Sequence, residues 1–277
     1  MGANSGFYIR LFGSFRIEDN FKPVLIPLSG STKRLLIFLL HSSGVPVRRD
    51  YLCSIIWPEA SSEKSRSALN TAFWRVKNSL KLYDLIRFKS DNLHIWCEVT
   101  NDQKIDASNL QINAEAARIQ MRDMGQITST TRRALASSVS DCRGEYLEAL
   151  NADWALIERE KLSRLLMGSI ITLAKDAESR DCIPDAIAWT QNALTRDPYR
   201  EHLHHFLMTL FIRSGQRVMA LRQYRKIESL LRKELGVNPL PQTLQLRDMI
   251  LSGHQTDIKG LASITPLETS IPKFSFS

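Results

Sequence analysis

The chain has 277 residues, 43% of them hydrophobic, and a formal net charge of +8. That is length and apolar content enough for two ordinary domains, and no run approaches the ~18 unbroken apolar residues of a membrane span. The first residues lack the basic region, apolar run and cleavage site of a signal peptide, and Gly6 breaks the myristoylation pattern, so a cytoplasmic location is expected.

Cys53, Cys97, Cys142 and Cys182 lie about forty residues apart, which fits neither a zinc site nor a disulfide framework. They read as reduced, mostly buried thiols. Residues 1–106 hold fifteen Lys/Arg against ten Asp/Glu, and the rest hold twenty-two against nineteen. The smaller part therefore carries most of the positive excess, which suggests a polyanionic partner.

In chain order, Phe7–Ile17 alternates around Gly13, with Phe7, Ile9 and Leu11 on one face, and predicts a strand or hairpin. Val24-Leu25-Ile26, bracketed by Pro23 and Pro27, predicts a second short strand. Ser29–His41 turns helical, with Ser31 or Thr32 as cap and Leu35, Leu36, Leu39 and Leu40 as the buried face. Gly44 ends it, and Val47–Trp57 predicts the next helix, stopped by Pro58.

Ser62–Leu82 predicts one helix with a stripe of Leu69, Phe73, Val76 and Leu80. Its outer arc collects Lys64, Ser67, Thr71, Arg75 and Asn78, flanked by Arg66, Trp74 and Lys77. Such a cationic, hydrogen-bonding face fits a DNA major groove, although an ordinary solvated helix has the same pattern. Arg75 is the foremost contact candidate. Thr71 and Ser67 suit bases or phosphates, and Lys64 and Lys77 suit phosphates. Trp74 either stacks on a sugar edge or, the favoured reading, packs against neighbouring elements.

Leu85–Phe88 and Leu93–Cys97, joined by Lys89-Ser90-Asp91-Asn92, predict a hairpin. Lys89 and Asn92 are its candidate DNA contacts, whereas Asp91 should repel phosphate. Lys33, Arg34, Arg48 and Arg49 open helices and either favour phosphate or belong to a solvated face.

From Asp106 onward strand signals fade. Leu110–Met124, Thr130–Val139, Trp154–Glu178, Pro184–Thr195, Tyr199–Arg213, Val218–Leu235 and Pro241–Leu251 predict helices separated by short breaks. The Ala186–Leu194 helix ending in Asp197-Pro198 looks like the close of a tetratricopeptide repeat. The expected fold is an α+β winged helix-turn-helix domain over residues 1–106 and an all-α tetratricopeptide-like domain over 107–251. Residues 252–277 read as a flexible tail.

These residues resemble the Streptomyces antibiotic regulatory protein family, which joins an OmpR/PhoB-type winged helix to a bacterial transcriptional activation domain. The first part of the match runs through Ile9-Arg10-Leu11-Phe12-Gly13, Lys33–Leu40, Val47–Leu52, Ile56-Trp57-Pro58 and Ala68–Leu80. The second runs through Arg143–Leu147, Trp154, Asp197-Pro198, Glu201, His204, Leu207-Met208, Gly215, Ala220-Leu221, Tyr224 and Glu234–Pro239. Val76-Lys77 departs from the family's usual Leu-Arg, and lysine offers a point charge where arginine offers a planar fork.

The resemblance implies a sequence-specific DNA-binding transcriptional regulator, more an activator than a repressor. Its partners would be double-stranded DNA, RNA polymerase and a second copy of the chain on tandem half-sites. The rival reading is a helical-repeat interaction module whose N-terminal domain binds protein. A small-molecule sensor in the helical part is compatible with either. No cofactor, metal or catalytic set is expected: His202, His204 and His205 lack completing ligands, and no nucleophile–base pair is apparent.

Overall fold

The computed structural model describes residues 7–20, 22–80, 86–100 and 105–253. They divide into two compact units, one of Met1–Asn113 with Ser140–Ser163, the other of Ala114–Val139 with Arg164–Ser277.

The first unit opens with an antiparallel sheet of β1 (Phe7–Arg10), β2 (Arg16–Asp19) and β3 (Lys22–Pro23), in that order. Alternation places Phe7, Ile9 and Leu11 in the core, with Ile9 opposite Ile17. The strand expected at Val24–Ile26 does not form. Pro23 and Pro27 remove ladder donors on either side, β3 stops at Pro23, and Leu25 is 92% exposed.

Helix α1 (Gly30–His41) buries Leu35 to Leu40 without a break. Its N-cap is Ser29, which makes no side-chain cap, so neither Ser31 nor Thr32 plays the expected part; Ser31 Oγ instead accepts a bond from Arg34. The next helix is shorter than expected. Val47 and Arg48 form β4, paired with Ile95 and His94, and only Arg49–Ile56 is helical (α2). A β-branched residue such as Val47 fits a sheet better than a helix start. Then come α3 (Ser62–Ser79), β5 (Ile86–Ser90) and β6 (His94–Val99), the second sheet running β4-β6-β5. Lys81, Leu82 and Leu85 lie outside the described residues.

The segment from Ser140 to Ser163 completes this unit. Gly13 N–H donates to Glu145 O at 2.7 Å and Leu147 N–H donates to Leu11 O at 2.8 Å. Tyr146 meets Phe12 edge-on and shares a 2.8 Å hydrogen bond with His41 Nδ1, while Phe38 and His41 pack on Trp154. Arg159 gathers the loop by donating to the carbonyls of Tyr146, Leu147 and Leu150. At the centre lies Asp106, fully buried, whose carboxylate accepts the backbone N–H groups of Leu11, Phe12 and Ala107.

Helices α4 (Asp106–Met124), α5 (Ser129–Asp141), α6 (Asp153–Ser179), α7 (Ile183–Arg196), α8 (Glu201–Arg213), α9 (Arg217–Leu230) and α10 (Pro241–Ser252) follow, close to the predicted spans. A π-helical turn, Leu231–Leu235, extends α9 to Gly236, whose φ of 67° ends it in the left-handed region. In the second unit α7 packs on α8, α8 on α9, and α10 on both. Ala177, Ile183, Ala186 and Leu210 form an apolar centre there, flanked by Cys182, Ile187 and Phe206. Asp176, almost wholly buried, takes salt bridges from Arg132 and Arg180, which hold its carboxyl below the usual range against the opposing effect of burial.

His204 is structural: it is fully buried, with Nε2 2.9 Å from Pro198 O and Nδ1 2.6 Å from Gln223 Nε2. Cys53, Cys97 and Cys142 are buried thiols and Cys182 is half-buried, none of the four in a disulfide. Among the described residues no helix is long and apolar enough to cross a membrane, and no His, Cys, Asp or Glu cluster is suited to a metal. The expected tail falls beyond Gly253, outside the described residues.

Candidate nucleic-acid interface

Helix α3 is anchored by Leu69, Ala72 and Val76, with Leu80 just past its end. Ala72 takes the place expected of Phe73, which is half-buried and edge-on to Phe88 at 6.3 Å. Every outward candidate on the helix is exposed: Lys64, Arg66, Ser67, Thr71, Trp74, Arg75, Lys77 and Asn78. Trp74 corrects the favoured reading, because at 65% exposure it is not packed against its neighbours. Arg66 reaches Asp50 at 3.1 Å, and Thr71 Oγ1 donates to Ser67 O one turn back. Among the described residues Lys64, Arg75 and Lys77 make no ion pair with a carboxylate.

The geometry adds residues that sequence reasoning left out. A groove of about 560 Å³ is lined by Lys64, Ser67, Thr71 and Arg75 of α3 and by Ser29, Ser31, Thr32 and Trp57. Because Ser29 makes no side-chain cap, the first-turn amides of α1 stay open to an anion. The run Ser29-Gly30-Ser31-Thr32 ahead of an apolar block was the available signal, but a helix start says nothing about which other helix it faces.

The hairpin also differs from expectation. Lys89 lies in β5, away from the tip, and is paired with Glu98 at 2.7 Å. Asn92 is exposed at the turn, as is Leu93. Asp91 shapes the turn by accepting the N–H groups of Leu93 and His94 at 2.7 and 2.6 Å, bonds that hold its carboxyl below the usual range. Arg49 is not a free cation either. Its guanidinium donates to Asp91 O at 3.2 Å and to Asn70 Oδ1 at 2.9 Å, tying the hairpin tip to α3.

Residues 105–251 match the model of the bacterial transcriptional activator domain. The chain belongs to the bacterial transcriptional activator domain family. The regulatory protein AfsR of Streptomyces coelicolor is 25% identical to it over 223 residues, and that of Streptomyces griseus 27% over 226 residues. Each alignment covers 80% of this chain and 22% of the relative, so the chain spans about a fifth of the length of these curated relatives. Mycobacterium tuberculosis EmbR, solved in complex with a low-affinity phosphopeptide, superposes with a TM-score of 0.65 at 18% identity. The superposition covers 94% of this chain and 70% of EmbR and concerns the fold. The described residues are mostly helical, with small antiparallel sheets near the N-terminal end.

Proposed function

We propose that this chain is a transcriptional regulator of the Streptomyces antibiotic regulatory protein type that binds duplex DNA through a winged helix-turn-helix, with α3 in the major groove and the β5–β6 hairpin on the backbone or in the minor groove. The observation that carries this reading is the outer face of α3. It offers Lys64, Ser67, Thr71, Trp74, Arg75, Lys77 and Asn78 to solvent while the opposite face is locked into the core. Arg75 reads a base edge, Trp74 covers a sugar edge or thymine methyl, and Lys64 and Lys77 hold phosphates. A phosphate in the groove beside α1 would meet Lys64, Arg75, open amides and the hydroxyls of Ser31 and Thr32. Asn92 touches the backbone at the wing tip, and Lys89, held by Glu98, adds less.

The tetratricopeptide-like helices of residues 107–251 support activation by contact with RNA polymerase and self-association on tandem half-sites. The test is selection of genomic fragments on the purified chain at near-physiological salt. The wild type should enrich a recurring short motif that Arg75→Ala loses, with affinity for it down at least tenfold. Uniform weak retention by both proteins would overturn the reading.

Arg49 gives a sharper check on the wing. As a strut it needs two donors at fixed angles, which lysine cannot supply. Arg49→Ala and Arg49→Lys should therefore weaken binding to the selected motif alike, by about threefold to tenfold, with the salt slope unchanged. A direct phosphate contact predicts instead that Lys retains affinity and that Ala flattens the slope by about one.

A further inference from the structure

Half of the chain's net charge lies on one helix of the second unit. Arg217–Leu235 carries six Lys/Arg against two Glu, a net of +4 out of +8. At about 100° per residue, Ala220, Tyr224, Ile227 and Leu231 gather on one side of α9 and its π-helical extension, and all four are buried. Arg222, Arg225, Lys226, Arg232 and Lys233 fall on the opposite side within an arc of about 120°, and all five are exposed. Arg217, the sixth, is off this arc and donates to Leu251 O.

The stripe is poorly neutralised. Glu228 lies 3.7 Å from Arg232 and also accepts the Tyr224 hydroxyl, and Arg222 has only a long contact to the Met219 sulfur. Among the described residues Arg225, Lys226 and Lys233 have no ion-pair partner. No exposed aromatic stands among these cations to anchor a protein partner in the manner of an interface hot spot. From Arg222 to Lys233 the stripe runs about 16 Å, the axial length of roughly five base pairs. A row of cations of that length, only one of them facing a carboxylate among the described residues, is complementary to a phosphate backbone.

We propose that the outer face of α9, Arg222 to Lys233, is a second DNA contact, sequence-independent and directed at the phosphate backbone. It rests on the DNA-binding reading above and adds a contact from the helical unit. Its contribution is affinity and salt dependence without sequence preference, because point charges on phosphates carry no base information.

The experiment uses the full chain and a 40-base-pair duplex of mixed sequence, titrated by fluorescence anisotropy in potassium chloride from 50 to 200 mM. Arg222→Ala/Arg225→Ala/Lys226→Ala should lower affinity at 50 mM and flatten the slope of log affinity against log salt by about two to three. Across that range the wild type should lose about 40-fold more affinity than the triple variant. The double replacement Arg222→Lys/Arg225→Lys, with Lys226 kept, should match the wild-type slope, since only charge is required. Circular dichroism should match the wild type throughout, alanine being the best helix former at exposed positions.

An unchanged slope in the alanine variant overturns the proposal. If that variant instead loses binding to poly-glutamate, the stripe is an acidic-protein surface. If Arg75→Ala affects selection of the motif while the triple variant leaves both slope and affinity alone, the α3 reading stands and this one fails. If the wild type retains no duplex at 50 mM, both fail together.

Discussion

Replacing Asp106 with alanine is expected to cost the first unit about 4 kcal/mol, a large part of the ~5–15 kcal/mol that holds a domain together. The carboxylate accepts three backbone N–H groups, those of Leu11, Phe12 and Ala107, at 2.7 to 3.0 Å inside a fully buried site. Removing it orphans all three donors inside a buried site, and each such loss carries its own desolvation penalty. Urea unfolding followed by Trp fluorescence measures the loss directly; a change under 1 kcal/mol would show the donors finding other partners. Burial outweighs these hydrogen bonds and pushes the carboxyl up to about 6, against near 4 in an unfolded chain. A raised carboxyl favours folding most below its unfolded value and loses that advantage as pH climbs through 6. The gap between wild type and variant should therefore widen from pH 7.5 to pH 5.

Gly13→Ala should be nearly as damaging, at about 3 kcal/mol. Gly13 has φ of 80°, and a Cβ built there lies 2.8 Å from the Arg143 carbonyl oxygen, a backbone atom that has no rotamer to escape into. Gly144 faces it with φ of 84°, and its own Cβ would meet Gly13 Cα at 3.1 Å. Two glycines thus let two chain segments touch. An alanine at position 13 must push the Arg143–Leu147 segment away and stretch the bonds from Gly13 N–H to Glu145 O and from Leu147 N–H to Leu11 O. Amide exchange should show Leu147 losing protection before the α1 amides do. Uniform protection with wild-type stability would contradict this account.

Periodicity made the helices legible, because burying one face of a helix demands apolar residues every three or four positions. The spans of α5 to α10 and the outer face of α3 were readable on that basis. The errors arose where the partner decides the outcome. Val47 reads as a helix start until Ile95 is there to pair with it. Val24–Ile26 reads as a strand, yet the flanking prolines leave it without a ladder. Trp74 reads more readily as a packing residue than as a contact, but the neighbouring Phe73 leans toward Phe88 and the indole is 65% exposed. The groove beside α1 could not be inferred at all, since Thr32 and Arg75 are brought together only by the packing of α1 against α3.

The non-contiguous make-up of the first unit bears on how the protein is made. Tyr8 and Arg10 bond to Asp141, residues 133 and 131 positions away, and Phe38 meets Trp154 edge-on. Pairings of such long sequence separation close slowly, because the chain between them must first be ordered. On a ribosome that emits residues in order, β1 and α1 emerge with part of their surface uncovered and wait for Tyr146, Trp154 and Arg159. The helix proposed to read DNA would thus acquire its finished support only after the chain has been synthesised past Arg159.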